Sequence, residues 1–150
     1  MTSEKVLDKY RRLCSRREYC TSELLQKTSK DLEGDTEAAA EVVAQLVADK
    51  YADDRRYASA FARDKAFLSG WGAVKIRYML SAKGMDKEII EEVLAETAED
   101  GKTGLRLEKL LDNKYKSLKD DPQWKLKLLR FALGRGYSYE NVNEIIKKYE

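Results

Sequence analysis

Apolar residues recur along the chain with the three- and four-residue spacing of helices that bury one face. Start and stop signals divide them into nine predicted helices. The clearest feature is a repeat, in which residues 75–94 and residues 127–146 align at a constant offset of 52. In both segments an apolar helix leads through a glycine turn to a second apolar helix, which ends near Leu94 or Ile146. The pattern predicts two copies of one helix pair.

The turn inside each pair has the same chemistry in both copies. A basic residue ends the first helix, where it complements the helix dipole, and glycine takes the left-handed position that follows. One apolar residue then fills the turn, and a side chain caps the next helix. We therefore expect a positive φ at Gly84 and at Gly136. The two turns are Lys83-Gly84-Met85-Asp86 and Arg135-Gly136-Tyr137-Ser138.

A longer amphipathic helix precedes each pair. Asp53 or Asp54 is expected to cap the first of these helices, with Tyr57, Phe61 and Leu68 on its core side. The second long helix has a stripe of leucines at core spacing. These are Leu107, Leu110, Leu111 and Leu118.

Two further segments complete the predicted helices. Asp121 followed by Pro122 indicates the start of a helix, since proline suits the first turn. The N-terminal third has a weaker version of the same pattern, with helices predicted at 6–19, 22–32 and 36–50.

These elements predict an all-α fold of three tandem three-helix units, at residues 1–50, 51–100 and 101–150. A three-helix unit with a tight glycine turn is close to the helix-turn-helix of DNA-binding proteins. Such units are too small to bury much surface alone, so we expect them to stack into an elongated, curved body. The segment 98–104 is the expected flexible joint.

The composition argues against an enzyme. The chain has no histidine, which excludes histidine-activated nucleophiles and histidine-containing zinc sites. It also lacks the glycine-rich loops that hold phosphates or dinucleotides, so we expect no catalytic residue, metal or cofactor. Cys14 and Cys20 suit a reducing cytoplasm, and no segment predicts a membrane span or a signal peptide.

Charge is unevenly distributed although the formal net charge is only +2. Residues 1–30 carry +4, residues 31–100 carry −7 and residues 101–150 carry +5. Two basic ends around an acidic middle would suit a polyanion at the ends and a protein at the centre. The alternative is that these charges are ordinary solvated helix faces.

A central motif resembles the signature of the RecX family. It consists of an aromatic residue before Asp-Asp, a basic-aromatic-Ala step, a Gly-x-x-x-Ile step and a Lys-Gly turn, in residues 51–58, 70–76 and 83–84 with Phe61 and Leu80. The resemblance implies tandem three-helix repeats and a regulator that binds the RecA–DNA filament and inhibits RecA's recombinase and ATPase activities. It places the protein in recombination, DNA repair and the SOS response. The polar stretch 27–30 departs from the family pattern.

The candidate contacts with RecA or DNA are basic residues. Lys75 and Lys127 occupy equivalent repeat positions away from the apolar stripe, and Arg56 and Arg63 share one helix face. Plain solvation is the alternative interpretation, and the family resemblance favours binding. The full set of candidates is Arg56, Arg63, Lys75, Lys125, Lys127 and Arg130.

The remaining motif residues are interpreted as structural. Asp53 and Asp54 fit a helix cap better than a salt bridge to RecA. Core packing is favoured over base stacking for the aromatic residues Tyr57, Phe61, Phe67 and Trp71.

Two other functions compete with filament binding. A helix-turn-helix transcription factor would need groove-facing Arg, Asn or Gln, and residues 75–81 supply few of them. A purely structural adaptor would bind no nucleic acid. We expect a monomer whose direct contact with DNA is weak and independent of sequence.

Overall fold

The computed structural model describes residues 1–99 and 101–150. Within these residues the chain is all-α, with nine α-helices, a final 3₁₀ turn at Lys147–Tyr149 and no strand. The helices are α1 (Ser3–Cys14), α2 (Thr21–Asp31), α3 (Thr36–Ala48), α4 (Asp54–Phe67), α5 (Ala73–Ala82), α6 (Lys87–Ala98), α7 (Thr103–Leu118), α8 (Trp124–Gly134) and α9 (Tyr139–Ile146).

The helices form three consecutive groups, each with its own hydrophobic cluster. We call α1–α3 the first group, α4–α6 the middle group and α7–α9 the last group. Val6, Leu24 and Leu46 lie at the centre of the first cluster. The middle cluster includes Ala58, Ala62, Ile76, Leu80 and Val93, and the last includes Leu107, Leu111, Leu128, Val142 and Ile146. Tandem three-helix repeats are therefore the architecture of the chain.

The offset of 52 extends to all three second helices, α2, α5 and α8. Leu24, Ile76 and Leu128 follow one another at this offset, and all three are at most 1% exposed. The next core position holds Thr28, Leu80 and Ala132, which are all fully buried. Thr28 is tolerated there because its hydroxyl donates a 2.7 Å hydrogen bond to the Leu24 carbonyl. This hydrogen bond explains how the polar α2 keeps the repeat.

Both predicted glycine turns are confirmed. Gly84 has φ +76° and Gly136 has φ +93°, and the apolar residues that follow them, Met85 and Tyr137, are buried. The next helices are capped as expected. Asp86 accepts a hydrogen bond from the Glu88 N–H, and Ser138 accepts one from the Asn141 N–H.

The prediction that Leu68 and Phe67 face the core is wrong. α4 ends at Phe67, so Leu68 lies beyond the helix and is 83% exposed, and Phe67 is 47% exposed. The buried face of α4 consists instead of alanines, which let α6 pack closely against it. These are Ala58, Ala62 and Ala66.

Several predicted helix limits are also corrected. α8 begins at Trp124 rather than at Asp121–Pro122, because the Asp121 carboxylate accepts from the Gln123 N–H and closes a separate turn. α1 ends at Cys14, five residues before the predicted limit. Thr103 and Gly104, placed in the predicted joint, belong to α7, while Asp100 of that joint lies outside the described residues. The unit limits 1–50, 51–100 and 101–150 stay a prediction.

None of the helices in the described part of the chain is both long and apolar enough to cross a bilayer. The same residues contain no group of three or more metal-ligating side chains.

Candidate interaction surface

The middle and last groups meet where the C-terminus of α8 abuts the N-terminus of α5. The Gly72 N–H donates to the Arg135 carbonyl at 2.7 Å, and the Val74 N–H donates to the Gly136 carbonyl at 2.9 Å. No side chain caps α5, so the backbone carbonyls of another helix satisfy its free N–H groups. Glycine is needed on both sides, because a Cβ at Gly72 would overlap the Gly136 carbonyl and a Cβ at Gly136 would overlap the Cβ of Lys75.

Side chains of the last group strengthen the same junction. The Arg135 guanidinium donates to the Ser69 carbonyl at 3.0 Å, and the Tyr137 hydroxyl donates to the Gly70 carbonyl at 3.3 Å. Burial raises the pKa of Tyr137, so the phenol stays neutral and keeps its proton to donate. The loop between α4 and α5 is therefore held from the side of α8 and α9.

The first and middle groups meet at an equivalent place. The Ser22 hydroxyl donates to the Lys83 carbonyl, and these residues precede Val74 and Arg135 by 52 positions. The Asp54 carboxylate accepts from the Thr21 N–H at 2.8 Å and from the Thr21 hydroxyl at 2.7 Å. Asp54 thus caps α2 from the neighbouring group. The helices α8, α5 and α2 consequently lie end to end, each C-terminus against the next N-terminus.

Arg56 belongs to the junction between the first and middle groups. Its guanidinium lies 2.7 Å from the Glu18 carboxylate and also donates to the carbonyls of Lys50 and Tyr51. The hydrogen bond with Glu18 raises the pKa of Arg56. The neighbouring motif residue Asp53 accepts from the Arg56 N–H and caps α4, as predicted. The Arg56 side chain is therefore engaged within the molecule.

The four remaining cationic candidates outside α5 differ in their pairing. Lys125 forms an ion pair with Glu150, and Lys127 forms one with Asp121 at 2.5 Å that lowers the pKa of the Asp121 carboxyl. Arg63 and Arg130 are exposed and make no ion pair with a described carboxylate. Arg63 and Arg130 are therefore the predicted arginines that are available to a partner.

Lys75, the sixth candidate, lies in a cluster of rings and ammonium groups on the middle group. Tyr57 and Phe61 stack with centroids 6.1 Å apart, and Phe61 meets the edge of Trp71 at 6.2 Å. All three rings are half-buried against the middle core, so the predicted packing role is confirmed for them. We call this the aromatic–lysine cluster, consisting of Tyr57, Phe61, Trp71, Lys65, Lys75 and Lys83.

The three lysines of the cluster lie over its rings. Lys75 Nζ is 4.4 Å and Lys65 Nζ is 4.9 Å from the Trp71 ring centroid. Lys83 Nζ is 5.6 Å from Phe61 and 5.7 Å from Tyr57. The predicted set of contacts lacks Lys65 and Lys83, the latter having been assigned only to the helix dipole. For Lys65, the spacing of four residues from Phe61 on α4 indicates that the two side chains are neighbours.

Two family models match the chain. The model described as "RecX, second three-helix domain" matches residues 53–94, and "RecX, third three-helix domain" matches residues 106–146. These segments contain most of the middle group and most of the last group.

Individual relatives agree with these matches. The Regulatory protein RecX of Thermus thermophilus is 35% identical over 127 residues, which cover 84% of this chain and 79% of the relative. That of Clostridium botulinum (strain Alaska E43 / Type E3) is 33% identical over 117 residues, which cover 76% of this chain and 54% of the relative. The chain thus spans about half the length of the clostridial relatives it matches.

Solved structures show the same fold. The crystal structure of RecX from Lactobacillus salivarius superposes with a TM-score of 0.85 at 21% identity, covering 98% of this chain and 96% of that one. A second crystal structure, of a regulatory protein RecX, gives a TM-score of 0.84 at 20% identity, with 97% and 71% covered.

Proposed function

The chain belongs to the RecX family, and from this premise we propose that it binds the RecA–DNA filament and inhibits RecA's recombinase and ATPase activities. The relatives carry the name regulatory protein, which supports a role in controlling recombination and DNA repair. The family match is the observation that carries the proposal.

The end-to-end row of α8, α5 and α2 supports a long partner. Its helices have 11, 10 and 11 residues, which at 1.5 Å per residue add up to roughly 48 Å of helix. The row repeats at intervals of 52 residues, as the shared junction positions show. A periodic surface of this kind suits a filament better than a single small ligand.

The six basic candidates are proposed contacts with the filament or its DNA. Lys75, Arg63 and Arg130 are favoured over the others because they make no ion pair with a described carboxylate. Arg56, Lys125 and Lys127 would have to exchange an internal carboxylate for the partner. Direct binding of DNA is proposed to be weak, since the net charge is only +2.

The proposed regulator works without catalysis of its own. The absence of histidine from the chain and the family's regulatory name support a role through binding alone. The two free cysteines, Cys14 and Cys20, support a reducing cytoplasm as its location, where we propose that it acts as a monomer.

A transcription factor that reads an operator receives less support. Arg77 is the residue of α5 best suited to reading guanine, yet its guanidinium makes two hydrogen bonds to Glu91 at 2.7 and 3.2 Å. Those bonds hold the guanidinium against α6 and commit its Nε and one Nη to the carboxylate, so a guanine would have to use the remaining edge or displace Glu91.

Co-sedimentation with preformed RecA filaments and, separately, with free DNA tests the proposal, alongside RecA's DNA-dependent ATPase. We expect the protein to pellet with filaments, to bind free DNA poorly at physiological salt and to slow ATP hydrolysis by RecA. Unchanged ATPase and strand-exchange rates at saturating protein would contradict it.

A further inference from the structure

The lysines of the aromatic–lysine cluster lack the internal partners that many other cations of the chain have. The described residues contain ion pairs such as Lys9 with Asp31 and Arg17 with Glu23. None of Lys65, Lys75 and Lys83 makes such a pair with a described carboxylate. Three positive charges therefore converge on one group of rings without internal neutralisation, inside the segment 31–100 that carries −7 overall.

The repeat supplies an internal comparison for this cluster. At the offset of 52, Lys83 corresponds to Asp31 and Lys75 corresponds to Glu23 in the first group. Those two acidic residues are neutralised by Lys9 and Arg17. These two repeat positions thus hold ion-paired carboxylates in the first group. In the middle group they hold lysines that lie over rings and make no ion pair with a described carboxylate.

The cluster is also held in place from both ends. The Lys83 carbonyl accepts a hydrogen bond from the Ser22 hydroxyl at the junction with the first group. Lys75 packs against Gly136 at the junction with the last group. Between them, the backbone N–H of Trp71 donates to the Lys65 carbonyl at 2.9 Å and ties the loop at Trp71 to the end of α4. These contacts anchor the backbone of the cluster, and the rings themselves are half-buried against the middle core, so little ring freedom is left to lose on binding.

From this arrangement we propose that the aromatic–lysine cluster binds single-stranded nucleic acid. The three lysines swing from the ring faces to the flanking phosphates, and a base stacks on Trp71 in place of the ammonium groups of Lys65 and Lys75. Flat rings beside ammonium groups match the two parts of a nucleotide, which stacks on aromatic side chains and pairs its phosphates with cations. In a duplex the base faces are already stacked on one another, so the rings favour a single strand. An acidic peptide would engage the ammonium groups and leave the rings unused.

This inference deepens the DNA contact of the proposed function and rests on it. The test uses the free protein without RecA, so that the two can fail separately. If an oligonucleotide causes no change in Trp71 fluorescence while the protein still inhibits RecA, this site is excluded and the proposed function still stands.

The experiment uses Trp71 as its own reporter. The chain has two tryptophans, so the Trp124→Phe variant leaves Trp71 as the sole source of tryptophan emission. We expect a 15-nucleotide oligo(dT) to quench this emission at 50 mM salt. Inorganic polyphosphate should displace the oligonucleotide without quenching, because it has charge and no bases.

Lysine variants test the phosphate contacts. Three contacts with a single strand give a log–log salt slope of about −2, so affinity should fall roughly 20-fold between 50 and 200 mM salt. The triple variant Lys65→Gln, Lys75→Gln, Lys83→Gln should lose most of this slope. The matched control is Lys5→Gln, Lys27→Gln, Lys147→Gln, which removes the same charge from exposed positions outside the cluster and should change the slope little.

Several results would overturn the proposal. They are no binding of oligo(dT) at 50 mM salt, oligonucleotide anisotropy that rises without a change in Trp71 emission, and equal losses in the two triple variants. Polyglutamate that binds as tightly as oligo(dT) and causes the same change in emission would assign the cluster to an acidic protein segment instead.

Discussion

The backbone N–H of Gly72 donates a 2.7 Å hydrogen bond to the carbonyl of Arg135, 63 residues later in the chain. It joins the start of α5 to the end of α8, so two helices from different groups satisfy each other's terminal backbone groups. The contact is between main-chain atoms, and it requires that neither Gly72 nor Gly136 carries a Cβ.

Gly72→Ala should therefore weaken the junction between the middle and last groups. The new methyl group would overlap the Gly136 carbonyl, and overpacking of this kind costs about 1–3 kcal/mol. Urea unfolding measures the loss. Gly104→Ala is the matched control, since Gly104 lies inside α7 with open space around it and alanine should stabilise the helix there by up to about 1 kcal/mol. Equal stability of the two variants would contradict the described junction.

Gly84→Val should destabilise the middle group by more than about 1 kcal/mol, which exceeds the usual effect of a surface substitution. The cost comes from the φ of +76°, because a Cβ at this position meets only Ser22 at an ordinary 3.7 Å. Gly84→Asn should cost less, since asparagine tolerates the left-handed region. Thermal melting of both variants tests this order, and a wild-type Gly84→Val curve would refute it.

Asp54 and Thr21 should be energetically coupled although 33 residues separate them. A double-mutant cycle of Asp54→Ala and Thr21→Val should give a coupling energy of about 1–3 kcal/mol in denaturant unfolding, because the hydrogen bonds involve a charged carboxylate. The control cycle of Asp53→Ala with Thr21→Val should give nearly none, since Asp53 caps α4 locally. Similar values in the two cycles would contradict the assignment.

Stability should decline in acid partly through Asp31. Hydrogen bonds from Lys9 and Tyr10 lower the pKa of this carboxyl in the folded protein. Its contribution is therefore present above the unfolded pKa of about 4 and is lost as the pH falls through the lower folded value. Asp31→Asn should flatten the acid limb of a plot of stability against pH. Asp120→Asn, at an exposed residue, should leave that limb steep.

Charge reversal at two basic residues of α8 should affect DNA binding to different extents. Arg130→Glu should weaken DNA binding more than Lys127→Glu, because Lys127 is already paired with Asp121 at 2.5 Å. Losses should be alike on two unrelated duplexes, as expected for phosphate contacts, with a salt slope on the order of −2 to −4 for the wild type. Salt-resistant binding or a strong preference for one duplex would favour a sequence-reading protein.

Local chemistry made much of the fold predictable from the sequence. The turn at Gly84 depends on its own residues and the cap at Asp86, so the residues themselves specify both φ and the cap. The end of α4 was less predictable. Leu68 continues the apolar spacing of its helix, but the chain leaves the helix after Phe67 and turns at Gly70 with φ +69°. The spacing of apolar residues alone does not indicate that α4 ends after Phe67.

The site was harder to predict than the fold because its contacts are distant in sequence. The positions of Arg56 and Lys127 indicated cations on helix surfaces, but the carboxylates that pair with them follow from tertiary packing. For Lys65 the local spacing was informative, yet its availability depends on the lack of a nearby carboxylate in three dimensions. A sequence shows where charges occur along the chain and leaves open which of them are neutralised.

The end-to-end order of α8, α5 and α2 gives the molecule an electrical direction. Each helix carries partial positive charge at its N-terminus and partial negative charge at its C-terminus. Where α8 meets α5 and α5 meets α2, opposite partial charges lie together and offset each other. The two ends that face no other helix of the row are the start of α8 near Trp124 and the end of α2 near Asp31. A polar filament lying along this row would meet two unlike ends, and so has a physical basis for accepting the protein in one orientation.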